Sequence, residues 1–207
     1  MLESRVMVEA FEIQRVRGVL HRPPVSNGDA FALTHGAGSN ANAPLLVRMA
    51  DALAEAFRMV RPKGPPFPAM AARDREGIAR AVDAVRKLAG GRIFAGGHSY
   101  GGRQTATAAA EHSGFADALL LLSYPLHPPR KPEQMRTSFF PELRTPALFV
   151  HGTADPFGTV PELRAAMTTI PAHTDLLAVE GAGHDLKSAP AADVVARFQA
   201  LLCYPET

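Results

Sequence analysis

The apolar and polar positions alternate in blocks along the chain, and the blocks change period. From Val6 to Leu20 the chain carries Val6, Val8 and a stretch from Phe11 to Val19 rich in β-branched and apolar residues, which predicts one or two strands with a break near Gly18. Phe31 to Thr34 is a short apolar run that enters His35-Gly36-Ala37-Gly38-Ser39, the pattern of a buried strand ending in a tight loop. Leu45, Met49, Leu53 and Phe57 then recur every four residues, which predicts a helix with one apolar stripe. Pro44 suits its first turn, and Asn40 or Asn42 is the expected cap.

The same alternation continues to the C-terminal end. Met59-Val60 begins a short strand that the loop Arg61 to Pro66 is expected to end. Ile78, Val82, Val85 and Leu88 mark an amphipathic helix closed by Gly90-Gly91. Arg92 to Ala95 is a strand, Gln104 to Ala110 lies in a helix, and Ala118 to Leu122 is a continuous apolar strand. Tyr124 to Thr145 is an irregular excursion of 22 residues with five prolines. Pro146 to Val150 and Leu176 to Val179 are further strands. Helices are expected around Val160 to Met167 and along the stripe of Val194, Phe198, Leu201 and Leu202. Continuous apolar strands alternating with amphipathic helices predict an α/β fold: a doubly wound, mostly parallel sheet with helices on both faces.

Composition narrows this picture. The chain has 207 residues, enough for one domain, taken as 1–207, that buries roughly 70% of its unfolded surface. A formal net charge of +2 is too balanced to imply a nucleic-acid or acidic-membrane partner. No apolar run approaches the roughly 18 residues of a membrane span, and Met1 to Ala10 lacks the apolar core of a signal peptide. The one cysteine, Cys203, permits neither an intrachain disulfide nor a cysteine-built zinc site, so a cytoplasmic location is expected. The pattern does not set an oligomeric state.

Gly97-His98-Ser99-Tyr100-Gly101 sits between a strand and a helix and matches the Gly-x-Ser-x-Gly turn that exposes a serine at the top of a sheet. A serine hydroxyl needs a base to accept its proton and a third group to orient that base. Asp155, directly after the strand Pro146 to Val150, and His184, directly after Leu176 to Val179, follow Ser99 in the order such sites use. Backbone N–H groups would stabilise the charge that develops on the carbonyl oxygen, one from Tyr100 and one from the early loop, with Ala37 first and Gly38 second. Asp185 is expected to be a capping or solvated residue, and His35, His98 and His151 structural, with His98 packing or bonding within its turn.

Gly36-Ala37-Gly38-Ser39-Asn40-Ala41 also fits a dinucleotide fingerprint. Pro44 disturbs that reading, and no strand ends in an acid roughly 20 residues further on. No metal or organic cofactor is therefore expected. Arg130 and Lys131 are read as a solvated basic turn rather than an anion contact, and Phe139 and Phe140 as pins that hold the excursion to the core.

Together these residues resemble a serine α/β-hydrolase. The segments Thr34 to Gly38, Ser123 to Pro129 and Leu148 to Gly158 are most similar to small, lidless dienelactone-hydrolase-like proteins, in the branch that includes testis-expressed and chromatin-complex KANSL homologues. The resemblance implies an α/β-hydrolase fold without a cap domain and the triad Ser99, Asp155 and His184. One position departs from it: dienelactone hydrolases carry a cysteine nucleophile where this chain has Ser99. The resemblance implies a serine hydrolase acting on a small-molecule ester or thioester. Because some relatives in the branch serve as subunits, it also carries the alternative of a catalytically idle binding or scaffold module.

Overall fold

The computed structural model describes residues 5–64 and 70–203. Among them, eight strands form one sheet: β1 (Met7–Ile13), β2 (Val16–Arg22), β3 (Ala30–Thr34), β4 (Arg58–Pro62), β5 (Ile93–His98), β6 (Ala118–Leu122), β7 (Ala147–Gly152) and β8 (Thr174–Val179). The helices are α1 (Pro44–Leu53), α2 (Ala71–Arg86), α3 (Tyr100–Glu111), α4 (Val160–Met167) and α5 (Ala191–Leu202). The strand order is β1-β2-β4-β3-β5-β6-β7-β8. β2 pairs antiparallel with β1 and β4, and every other pair is parallel.

The continuous apolar runs are explained by two buried faces. Along β6, Leu119 and Leu121 point into one cluster while Ala118, Leu120 and Leu122 point into the other. The first cluster takes Val82 and Val85 of α2, Ala106 and Ala109 of α3 and Leu163 of α4. The second takes Leu46 and Met49 of α1 and Val194 and Phe198 of α5. Phe31, Phe57, Phe94 and Phe198 meet there with ring centroids 5.3 to 6.5 Å apart. Each such ring stabilises the fold by about 1.5–3 kcal/mol through burial alone.

The structure corrects three local expectations. The hairpin turns at Gln14 and Arg15, with φ of 51° and 69°, and not near Gly18. A two-residue hairpin loop of type I′ needs positive φ at both positions. Gly18 instead lies inside β2, where a Cβ would sit 2.5 Å from the Arg61 carbonyl oxygen of β4. Arg61 and Pro62 belong to β4 and not to a loop; Arg61 is buried and its Nε–H donates to His21 Nε2 at 2.9 Å. The prolines expected to continue that loop, at 65 and 66, lie outside the described residues. Finally, α1 has no side-chain cap: Asn40 Oδ1 accepts from the Asn42 N–H, and Pro44 opens the helix.

The excursion after β6 contains a single 3-10 turn, Phe140–Glu142, and no cap domain. Phe140 is fully buried against Tyr124 and Phe149, so it pins the excursion as the sequence suggests. The carboxyl ends of β3, β5, β7 and β8 converge on one edge of the sheet, where open α/β sheets build their sites.

Candidate active site

Ser99 occupies a sharp turn between β5 and α3, with φ 52° and ψ −118°. A non-glycine residue in this region stores strain of order 1–3 kcal/mol, held by the surrounding packing. The Ser99 N–H donates to the Leu122 carbonyl at 2.8 Å, and the Arg103 N–H to the Ser99 carbonyl at 2.9 Å. Close approach makes glycine necessary at position 97: a Cβ there would lie 2.1 Å from Thr34 Oγ1 and 2.7 Å from the Thr34 carbonyl oxygen.

His184 lies in the loop after β8, and its Nε2 is 2.7 Å from Ser99 Oγ. Its Nδ1 lies 2.8 Å and 3.0 Å from the two carboxylate oxygens of Asp155, in the loop after β7. A carboxylate only accepts, so Nδ1 carries the proton and Nε2 presents its lone pair to the serine hydroxyl. The Asp155 side chain is fully buried, and its Oδ1 also accepts the Phe157 N–H at 2.9 Å. The Phe157 ring covers the imidazole, with centroids 4.2 Å apart.

The loops that carry Asp155 and His184 are bonded to each other. The Ala154 N–H donates to the Ala182 carbonyl at 2.9 Å, and the Gly181 N–H to Thr153 Oγ1 at 2.9 Å. His98, expected to act within its own turn, instead reaches across to the loop of His184: its Nε2–H donates to the His184 carbonyl at 2.8 Å. Burial, first, and the nearby His184 ring hold the His98 imidazole below its ordinary range, against the opposing pull of that hydrogen bond. His151 is fully buried under Asp155 and donates from Nε2 to the Gly158 carbonyl at 2.8 Å. Asp185 is exposed and pairs with Lys187 at 3.1 Å.

Tyr100 opens α3, so its N–H is one of the helix's unpaired amides. The Tyr100 hydroxyl donates to Asp74 at 2.7 Å; burial, then that bond, push the phenol up to about 12. The loop after β3 lies against Ser99, since a Cβ on Gly36 would sit 3.4 Å from Ser99 Cβ. Ala37 and Tyr100 flank a cavity of about 520 Å3 that also contains Ser99, His184, Phe157 and Pro125. A second cavity, of about 490 Å3, shares Gly36, Ala37 and Tyr100 and extends toward Asp74.

Arg103 and Arg136 also face the first cavity, and neither stood out in the sequence as a site residue. A signal existed for Arg103, which follows Ser99 by four residues and so falls one helical turn further on the same face. Arg136 lies within the irregular excursion, where no periodicity reports direction. Arg130 and Lys131 are exposed, as expected of a solvated turn. Among the described residues no cluster of His, Cys, Asp and Glu could hold a metal ion, and no helix is long and apolar enough to cross a membrane.

Ser99 after β5, Asp155 after β7 and His184 after β8 meet at one edge of a mostly parallel eight-stranded sheet. The chain belongs to the α/β-hydrolase domain family, whose model matches residues 27–198. Its fold is shared with Est1E from Butyrivibrio proteoclasticus at a TM-score of 0.77 and 17% identity, covering 95% of this chain and 99% of that one. It is likewise similar to a protein from Thermus thermophilus (TM-score 0.76, 17% identity, covering 97% of this chain and 100% of that one). A dienelactone hydrolase from Anabaena variabilis matches at a TM-score of 0.69 and 17% identity, covering 95% of each chain. At such identities the likeness is one of fold.

Proposed function

We propose that this protein is a serine hydrolase that cleaves a small carboxylic ester or thioester through an acyl-enzyme. The observation that carries this reading is the unbroken chain of hydrogen bonds from Ser99 Oγ through His184 to buried Asp155. His184 Nε2 takes the hydroxyl proton as Ser99 Oγ bonds to the acyl carbon. Asp155 holds the tautomer and stabilises the imidazolium that forms. The carbonyl oxygen becomes an oxyanion held by the N–H groups of Tyr100 and Ala37, each such donor contributing roughly 10²–10³ in rate. Collapse of the tetrahedral adduct breaks the bond to the leaving alcohol or thiol, which receives the proton from His184. Water then attacks the acyl-enzyme, giving up a proton to His184; collapse of this second adduct breaks the bond to Ser99 Oγ, which takes that proton back from His184 as the acid leaves.

The test is labelling by a fluorophosphonate probe, comparing wild type with Ser99→Ala, alongside hydrolysis of 4-nitrophenyl acetate. Labelling and turnover are expected in the wild type only. Folded wild-type protein that stays unlabelled and inert overturns the reading.

A further inference from the structure

The cavity beside Ser99 is lined by four cationic side chains, Arg48, Arg103, Arg136 and Lys187, and by one carboxylate, Asp185. Two of the cations are engaged. Lys187 Nζ lies 3.1 Å from Asp185 Oδ2. Arg48 donates to the Leu186 carbonyl at 2.8 Å and so ties α1 to the loop of the base.

Arg103 and Arg136 remain. Among the described residues neither forms an ion pair. The Arg103 Nε is shut off from solvent without a hydrogen-bond partner, and its guanidinium lies 5.3 Å from the centre of the Tyr100 ring. Arg136 Nη1 reaches only the Pro125 carbonyl, at 3.5 Å. Both side chains line the one cavity, and burial, first, and the charge of Arg103 hold Arg136 below the ordinary arginine range. The Arg136 backbone is fixed: its N–H donates to the Leu126 carbonyl at 2.8 Å, and its carbonyl accepts the Tyr124 hydroxyl at 2.5 Å. Arginine stays charged under such conditions, and a partly buried charge without a counter-ion is costly. The cost is removed when an anion enters.

We propose that Arg103 and Arg136 form a subsite for an anionic oxygen group, carboxylate or phosphate, carried by the substrate that Ser99 attacks. Planar guanidinium forks match such groups through paired N–H donors. The substrate is then a charged ester rather than a neutral lipid. This rests on the reading of Ser99 as nucleophile, but the anion site is testable without turnover.

Binding is measured by calorimetry on the Ser99→Ala protein with benzoate, inorganic phosphate and neutral benzamide. Benzoate or phosphate is expected to bind about tenfold tighter than benzamide, and the stronger of the two names the group. Arg103→Gln and Arg136→Gln should each remove most of that margin, about 1.4 kcal/mol for a factor of ten. Lys131→Gln should leave it unchanged. Turnover is then compared within two shape-matched pairs that differ in charge: 4-acetoxybenzoate against 4-acetoxybenzamide, and mono(4-nitrophenyl) adipate against 4-nitrophenyl hexanoate. The anionic member of one pair should lead by about tenfold in kcat/KM, through KM, and lose that lead in the Gln variants. The pair that responds assigns the charge to the leaving group or to the acyl group.

Anions that bind no tighter than benzamide, or a preference that survives both Gln variants, overturn the proposal. If a Gln variant fails to fold, Arg103→Lys and Arg136→Lys take its place, and a preference that does not weaken as salt rises tenfold overturns it equally. Anion binding with no ester turnover in the wild type would sink the nucleophile reading and leave the anion site standing.

Discussion

The Nε2–H of His98 donates to the backbone carbonyl of His184 at 2.8 Å, so the residue before Ser99 grips the loop that carries His184. This bond fixes the imidazole relative to Ser99 without touching either reacting nitrogen. His98→Leu is expected to lower kcat by about tenfold with KM little changed, because a base displaced by a few tenths of an ångström loses alignment in the transition state. Steady-state kinetics on a neutral ester check the split.

The same histidine makes stability depend on pH. His98 and His21 both sit below the ordinary value of 6.5, in each case first through burial. The unfolded chain therefore takes up protons before the folded one as pH falls, and stability rises with pH across that window. It is fully present above the ordinary histidine value and is lost as pH drops below it toward the folded values. Urea midpoints measured at about pH 7.5 and about pH 5.5 should fall in the wild type and fall less in His98→Leu.

Asp155→Asn is expected to lower kcat by about 10⁴ with little change in KM. The amide can accept the Nδ1–H of His184 only through one oxygen, and it provides no charge against the imidazolium. Slower fluorophosphonate labelling of Ser99 in the variant is the matching readout.

Tyr100→Phe separates the side chain from the backbone at one position. Loss of the bond to Asp74 should cost about 1 kcal/mol of stability. The N–H at the head of α3 remains, so turnover is expected to drop by less than about tenfold. A thermal melt paired with kinetics reads both effects.

Gly97→Ala tests the tightness of the elbow. Its Cβ would enter the space of Thr34 Oγ1, 2.1 Å away, in a segment held between two strands and a helix. The expected loss is about 3 kcal/mol or more, seen as a lower urea midpoint.

Much of this arrangement is legible in the sequence because local chemistry and global topology agree. Runs such as Ala118 to Leu122 are apolar at every position since both faces of β6 are covered. The glycines around Ser99 mark the only kind of turn that lets β5 and α3 approach so closely. The left-handed hairpin at Gln14 and Arg15 left no such mark, because neither residue is a usual turn former and Gly18 drew attention away from it. Arg61 looked like the start of a loop, although its strand partners and His21 bury it. The link from His98 to His184 and the convergence of Arg103 with Arg136 join residues far apart in the chain, and short-range patterns carry no record of them.

The excursion from Tyr124 to Thr145 is moored by Phe140 beneath it and by the bond from the Tyr124 hydroxyl to the Arg136 carbonyl. None of the three catalytic candidates sits on it. The exposed part of this segment can therefore be rewritten between buried anchors while the strand ends that carry Ser99, Asp155 and His184 stay untouched. The protein thus separates a frame that is hard to change from an exposed stretch that is easy to replace.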